Sequence, residues 1–80
     1  MNFPIPGSLA RVKFLEIDEM EVIVWLPDYN MKGVCPNTNM MFKPDHIQME
    51  GMGEVFSIDY ETKNINFKQI QVLSDTSGNN

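Results

Sequence analysis

Val22-Ile23-Val24-Trp25-Leu26 runs directly into Pro27-Asp28-Tyr29-Asn30, and Gly33-Val34-Cys35-Pro36 follows two residues later. The first five residues are β-branched, aromatic or aliphatic and too few to make a helix, so they read as a buried strand. The next four are a turn by composition, because proline presets φ and Asp or Asn bonds back to its own backbone. Gly33–Cys35 is then a short further strand, stopped by Pro36.

The chain on either side repeats this grammar. Upstream, Ala10, Val12 and Phe14 alternate with Arg11 and Lys13, the period of a half-buried strand. Leu15 and Ile17 fall on the opposite parity, which predicts a bulge or sharp bend before an acidic turn at Ile17–Glu21. Downstream, residues 37–53 read as a loop with one helical turn, since Pro44 forbids a long helix. Glu54–Asp59 alternates around Val55 and Ile58, and Tyr60–Lys63 is a polar turn. Ile65 and Phe67 then share a face, and Ile70 and Val72 resume after a one-residue slip. The expected organisation is an N-terminal arm over 1–7, a barrel over 8–73 and a disordered polar tail over 74–80. Five short strands with a loop or short helix between the third and fourth give an all-β fold, a five-stranded OB-type Greek-key barrel.

Composition narrows function. Eighty residues hold one domain, and 42% hydrophobic content suffices for a core. The single cysteine excludes an internal disulfide, which points to a reducing compartment. Met1–Gly7 holds two prolines and no apolar core of a leader, and the longest apolar run, Val22–Leu26, is far short of a bilayer span. The expectation is a cytoplasmic protein without a membrane partner. A net charge of −5 argues against nucleic acid, because a polyanion is held by cations that displace its counterions.

Chemistry is sparse. His46 is the only histidine and Cys35 the only thiol, so there is no zinc quartet and no HExxH or CxxC spacing. Cys35 beside Pro36 reads as a buried inert thiol, and His46 as a surface residue. Glu16, Asp18, Glu19 and Glu21 read as a solvated hairpin tip, without the spacing of a calcium loop. Gly51-Met52-Gly53 lacks the lysine and helix start of a phosphate loop. The reading is no enzyme and no cofactor. Met40, Met41, Met49 and Met52 serve equally as an adaptable contact surface or as core filler.

Gly7, Val12, Val24, Leu26, Gly33, Val55, Ile58, Asp59, Ile65 and Phe67 resemble the signature of the OB module repeated in ribosomal protein S-one. Ile17, Glu19-Met20, Val24, Leu26, Tyr29-Asn30 and Gly33 are further similar to the second-strand region of the N-terminal OB domain of the α subunit of eukaryotic translation initiation factor 2. Asp59, Glu61, Ile65, Val72 and Asp75 resemble that domain's last hairpin. The truncated layout resembles poxviral pseudosubstrates, which imitate this domain and occupy the antiviral kinase PKR.

The resemblance implies a non-catalytic mimic acting as a pseudosubstrate decoy for a host kinase such as PKR, monomeric and in the host cytoplasm. The family's substrate carries a serine in a basic loop after the third strand. Here Asn37-Thr38-Asn39-Met40-Met41-Phe42-Lys43 has no serine and no arginine. The family's docking motif, Lys-Gly-Tyr-Ile-Asp, falls on Thr62-Lys63-Asn64-Ile65-Asn66, where only Ile65 is kept and points inward. Docking then falls to other contacts: Tyr29, Asn30, Lys63, Asn64, Asn66, Met40 and Met41. Two alternatives stand beside this reading. One is a diverged single-stranded RNA-binding OB domain, stacking bases on Phe14, Trp25, Phe56 or Phe67. The other is a small phage-type adaptor with an unrelated protein partner.

Overall fold

The computed structural model describes residues 2–73, so the expected tail over 74–80 lies outside the described residues. Five strands form in the expected order: β1 Leu9–Ile17, β2 Glu21–Leu26, β3 Met31–Pro36, β4 Glu50–Asp59 and β5 Asn64–Val72. They close into a barrel in the order β1-β2-β3-β5-β4, with β4 returning to β1. All contacts are antiparallel except β3–β5, where Lys32, Gly33 and Val34 face Asn64, Ile65 and Asn66 in parallel. This is the OB topology.

On β1 the inward positions are those the alternation marked, whereas β2, read as buried throughout, itself alternates. Ala10, Val12 and Phe14 from β1 meet Val22, Val24 and Leu26 from β2, with Met31, Cys35, Val55, Ile65, Phe67 and Ile70 completing the core. The expected slips are bulges. The register shifts between Phe14 and Glu16 on β1, which turns Leu15 out of sequence. On β5, Glu54 faces Gln69 but Val55 faces Phe67, so Lys68 is the extra residue, and on β4 Phe56 is skipped between Val55 and Ser57. Each bulge adds local twist, which a five-stranded sheet needs to close.

One segment differs from the sequence reading. Residues 37–53 contain two single 3₁₀ turns, Thr38–Met40 and Pro44–His46, and β4 begins at Glu50 rather than at Glu54. Gly51 and Gly53 therefore lie in a strand. A Cβ on Gly53 would stand 2.5 Å from Phe67 Cδ1, one on Gly33 would stand 2.6 Å from Phe67 Cε2, and one on Gly51 would stand 3.2 Å from Phe14 Cε2. These glycines are absent side chains that let two rings lie on the opposite wall, not loop punctuation.

The arm is docked as well. The Gly7 amide donates to the Val55 carbonyl at 2.7 Å, the Val55 amide donates to the Ser8 carbonyl at 2.9 Å, and the Phe3 ring meets Tyr60 edge-on at 4.9 Å. Pro4 is fully buried.

Candidate functional site

The register sorts the loops into two ends. Leu26 faces Met31 and Lys32 faces Asn64, so the β2–β3 turn and the β4–β5 turn share one end. Glu21 faces Pro36, so the β1–β2 turn and the 37–49 segment share the other.

At the first end, turn chemistry fixes the backbone. The Asn30 amide donates to the Leu26 carbonyl at 2.8 Å, and Asn30 adopts φ 58°, a left-handed conformation that Asn tolerates. Opposite it, Asp59 caps the β4–β5 turn by accepting the Glu61 amide at 3.1 Å, and Lys63 sits at φ 60°. Between the turns lies a depression of about 440 Å³ lined by Trp25, Tyr29, Asn30, Lys32, Thr62, Lys63 and Asn64, with Met31 at its base. Four of the seven expected contact residues, Tyr29, Asn30, Lys63 and Asn64, thus converge. Tyr29 is half-buried and packs on the core, while Asn30, Lys63 and Asn64 are exposed. Asn66 lies next along β5 and donates to Ser57 Oγ at 3.0 Å, which anchors its amide. Ile65, the one residue kept from the docking motif, is wholly buried. Its retention serves packing.

Met40 and Met41 occupy the other end, 57% and 63% exposed. That end is organised by Asn37, the one buried polar side chain among the described residues. Its Nδ2 donates to the Asp18 carbonyl at 2.7 Å and to the Phe42 carbonyl at 2.9 Å, and its Oδ1 accepts the Phe42 amide at 2.8 Å. One side chain so ties the 37–49 segment to the β1–β2 turn and seats Phe42 against Phe14. Asp18 accepts the amides of Glu21 and Met20, and these bonds hold its carboxyl below the usual carboxylate range. His46 is half-buried rather than fully on the surface. Its Nδ1 accepts the Lys43 amide at 3.1 Å, a structural bond. Of the four methionines in the reading, Met49 packs against the core, Met52 is half-buried, and Met40 and Met41 are exposed.

The remaining residues with reactive side chains are quiet. Cys35 is buried and free, and burial pushes its thiol up to about 11. Among the described residues no group of His, Cys, Asp and Glu is arranged to hold a metal, and no helix is long and apolar enough to cross a membrane. Of the aromatics considered for base stacking, Phe14 and Phe67 are core, while Phe56 is 67% exposed and Trp25 half-buried with its side chain outward. The parity of Trp25 between Val24 and Leu26 was the available signal. Nothing local marked Asn37, whose three partners lie in two different loops.

Among solved structures, the crystal structure of a protein from vaccinia virus (Wisconsin strain) matches with a TM-score of 0.65 at 14% identity. The alignment covers 91% of this chain and 96% of that one. This chain has that viral protein's fold. No family model matches the sequence, and no curated protein matches it by sequence.

Proposed function

We propose that this chain is a non-catalytic mimic of the N-terminal barrel of initiation factor 2 α that acts as a pseudosubstrate decoy for a host protein kinase such as PKR. The observation that carries the reading is the convergence of Tyr29, Asn30, Lys63 and Asn64 in one depression. Tyr29 and Asn30 belong to the second-strand region that resembles the factor. Lys63 and Asn64 stand where the family's docking motif falls. The fold shared with a vaccinia virus protein supports the same direction, since the pseudosubstrates that imitate this domain are poxviral.

The mechanism is competition. The barrel offers a docking surface, and the loop that carries the factor's acceptor serine offers instead Thr38, an exposed hydroxyl at the start of a 3₁₀ turn with no arginine beside it. The kinase is occupied and no phosphate reaches the factor. One face of the barrel can supply the roughly 800 Å² per partner that a stable interface uses. The protein works in the host cytoplasm as a monomer.

The test is a purified assay of factor phosphorylation by PKR with increasing amounts of this protein. Inhibition at micromolar concentration that weakens as factor is raised is the expected result. Lys63→Glu should weaken inhibition about tenfold, because a rim charge acts on encounter with the partner. Unchanged phosphorylation removes the reading for this kinase.

A further inference from the structure

Lys13, Trp25, Lys32 and Asn64 form one row across four strands. Lys13 faces Trp25 between β1 and β2, Trp25 faces Lys32 between β2 and β3, and Lys32 faces Asn64 between β3 and β5. Val24 and Leu26 point into the core, so strand alternation sends Trp25 outward, where its Cβ lies about 5 Å from those of its lysine neighbours. Trp25 is thus a ridge between two hollows. On one side is the depression already described, about 440 Å³, with Lys32 and Lys63 on its wall. On the other is a second of about 280 Å³, lined by Arg11, Val12, Lys13, Trp25, Pro27 and Glu50.

Charge makes this arrangement informative. The chain carries six Lys and Arg against eleven Asp and Glu, yet Arg11, Lys13, Lys32 and Lys63, four of the six, line these two hollows. Arg11 is bound to Asp28 by two hydrogen bonds, of 3.0 and 3.2 Å. Among the described residues, Lys13, Lys32 and Lys63 are exposed and make no ion pair. The opposite end holds Glu16, Asp18, Glu19 and Glu21. At this end Asp28 is taken up by Arg11, Glu50 faces Lys13 from β4, and Asp59 and Glu61 lie at the β4–β5 turn, so the positive patch is local to the Trp25 face. Tryptophan and arginine at the centre of a face are the residue types on which interfaces concentrate binding energy.

We propose that the Trp25 ridge with Lys13, Lys32 and Lys63 is a docking face for an acidic segment of a protein partner. An apolar side chain of that segment packs on Trp25, and its carboxylates meet the flanking lysines. The proposal rests on the reading that this end of the barrel docks a protein, and it supplies the chemistry of the segment bound there. A short acidic peptide feels the patch within a Debye length of about 8–10 Å, whereas a long polyanion also meets the acidic remainder of the surface. That difference favours peptide over RNA.

Trp25 is the only tryptophan, so its fluorescence reports on this face alone. The experiment titrates the full chain with a synthetic peptide of alternating Glu and Asp around one Leu, free of Trp and Tyr. It runs at about 50 and about 300 mM salt, beside a lysine analogue and oligouridylate. A saturable change in Trp25 emission with the acidic peptide is expected, about tenfold weaker at the higher salt. The change should be lost in Lys13→Glu/Lys32→Glu while that variant melts as the parent does. No response to the acidic peptide overturns the proposal. So does an equal response to the lysine analogue, binding that survives the double variant, or a response to oligouridylate alone. The titration contains no kinase: peptide binding without PKR inhibition upholds this face and removes only that kinase, and PKR inhibition unaffected by the double variant removes this face and leaves the decoy.

Discussion

The two ends of this barrel are built by different means. At the Trp25 end, strand register does the positioning: Tyr29, Asn30, Lys63 and Asn64 meet because β3 and β5 pair in parallel with Lys32 opposite Asn64. At the other end the 37–49 segment has no strand partner along most of its length; it is held by the Asn37 side chain, by the buried Phe42 ring and by a few backbone bonds to Met20 and Phe14. A surface hung on register inherits the stability of the core. A surface hung on a few hydrogen bonds can be released without opening the barrel.

The contrast breaks most visibly at Phe67, whose ring fills the space above Gly33 and Gly53 and so holds the walls at one spacing. Phe67→Ala should cost about 3–5 kcal/mol in urea unfolding, enough to approach global unfolding in a chain this short. A loss below about 1 kcal/mol would mean the ring is not what sets the barrel's width. Asn37→Ala should cost about 1–3 kcal/mol, the penalty for leaving buried backbone groups unpaired. Its signature is regional: amide exchange should quicken over 38–49 while Leu26–Lys32 stays protected. Uniform acceleration would show the two ends to be one cooperative unit.

Met40 sharpens the comparison from the other direction. It follows Asn39 into the left-handed region, at φ 51° and 56° respectively, where a side chain costs about 1–2 kcal/mol. Met40→Gly should therefore raise stability by up to about 1 kcal/mol in the same unfolding assay. A drop would mean the methionine packs more firmly than its exposure indicates. The smallest effect is at Asp18. Backbone amides hold its folded pKa below the unfolded value, so its contribution is present above the ordinary carboxylate range and lost as pH falls through the folded pKa. Asp18→Asn should flatten the acid limb of the melting profile and leave the neutral region nearly level. An unchanged acid limb would show that these bonds do not matter to folding.

How legible each end was follows from its construction. Alternation located the first, fourth and fifth strands and the slips on β1 and β5 that became bulges, because a period of two survives wherever one face is buried and the other wet. The second and third strands were read from β-branched composition and the turn residues bounding them. It placed Tyr29, Asn30, Lys63 and Asn64 on two turns, but only their pairing in space made them one surface. Gly51 and Gly53 misled for a physical reason. A strand glycine and a loop glycine are identical in sequence, and the rings that require the former lie far away along the chain. Trp25 was read as part of a buried run, although its parity already sent it outward.

Local side-chain chemistry by itself determined that this chain makes short strands, where its turns fall and which positions alternate inward, since these depend on neighbours within a few residues. Closure, the parallel meeting of β3 with β5, the Asn37 staple and the gathering of four cations around one tryptophan in an acidic protein were decided only in three dimensions. They depend on contacts between residues distant in the chain, whose energies exist only once the sheet has curled far enough for its last strand to reach the middle of the chain and its fourth to reach the first.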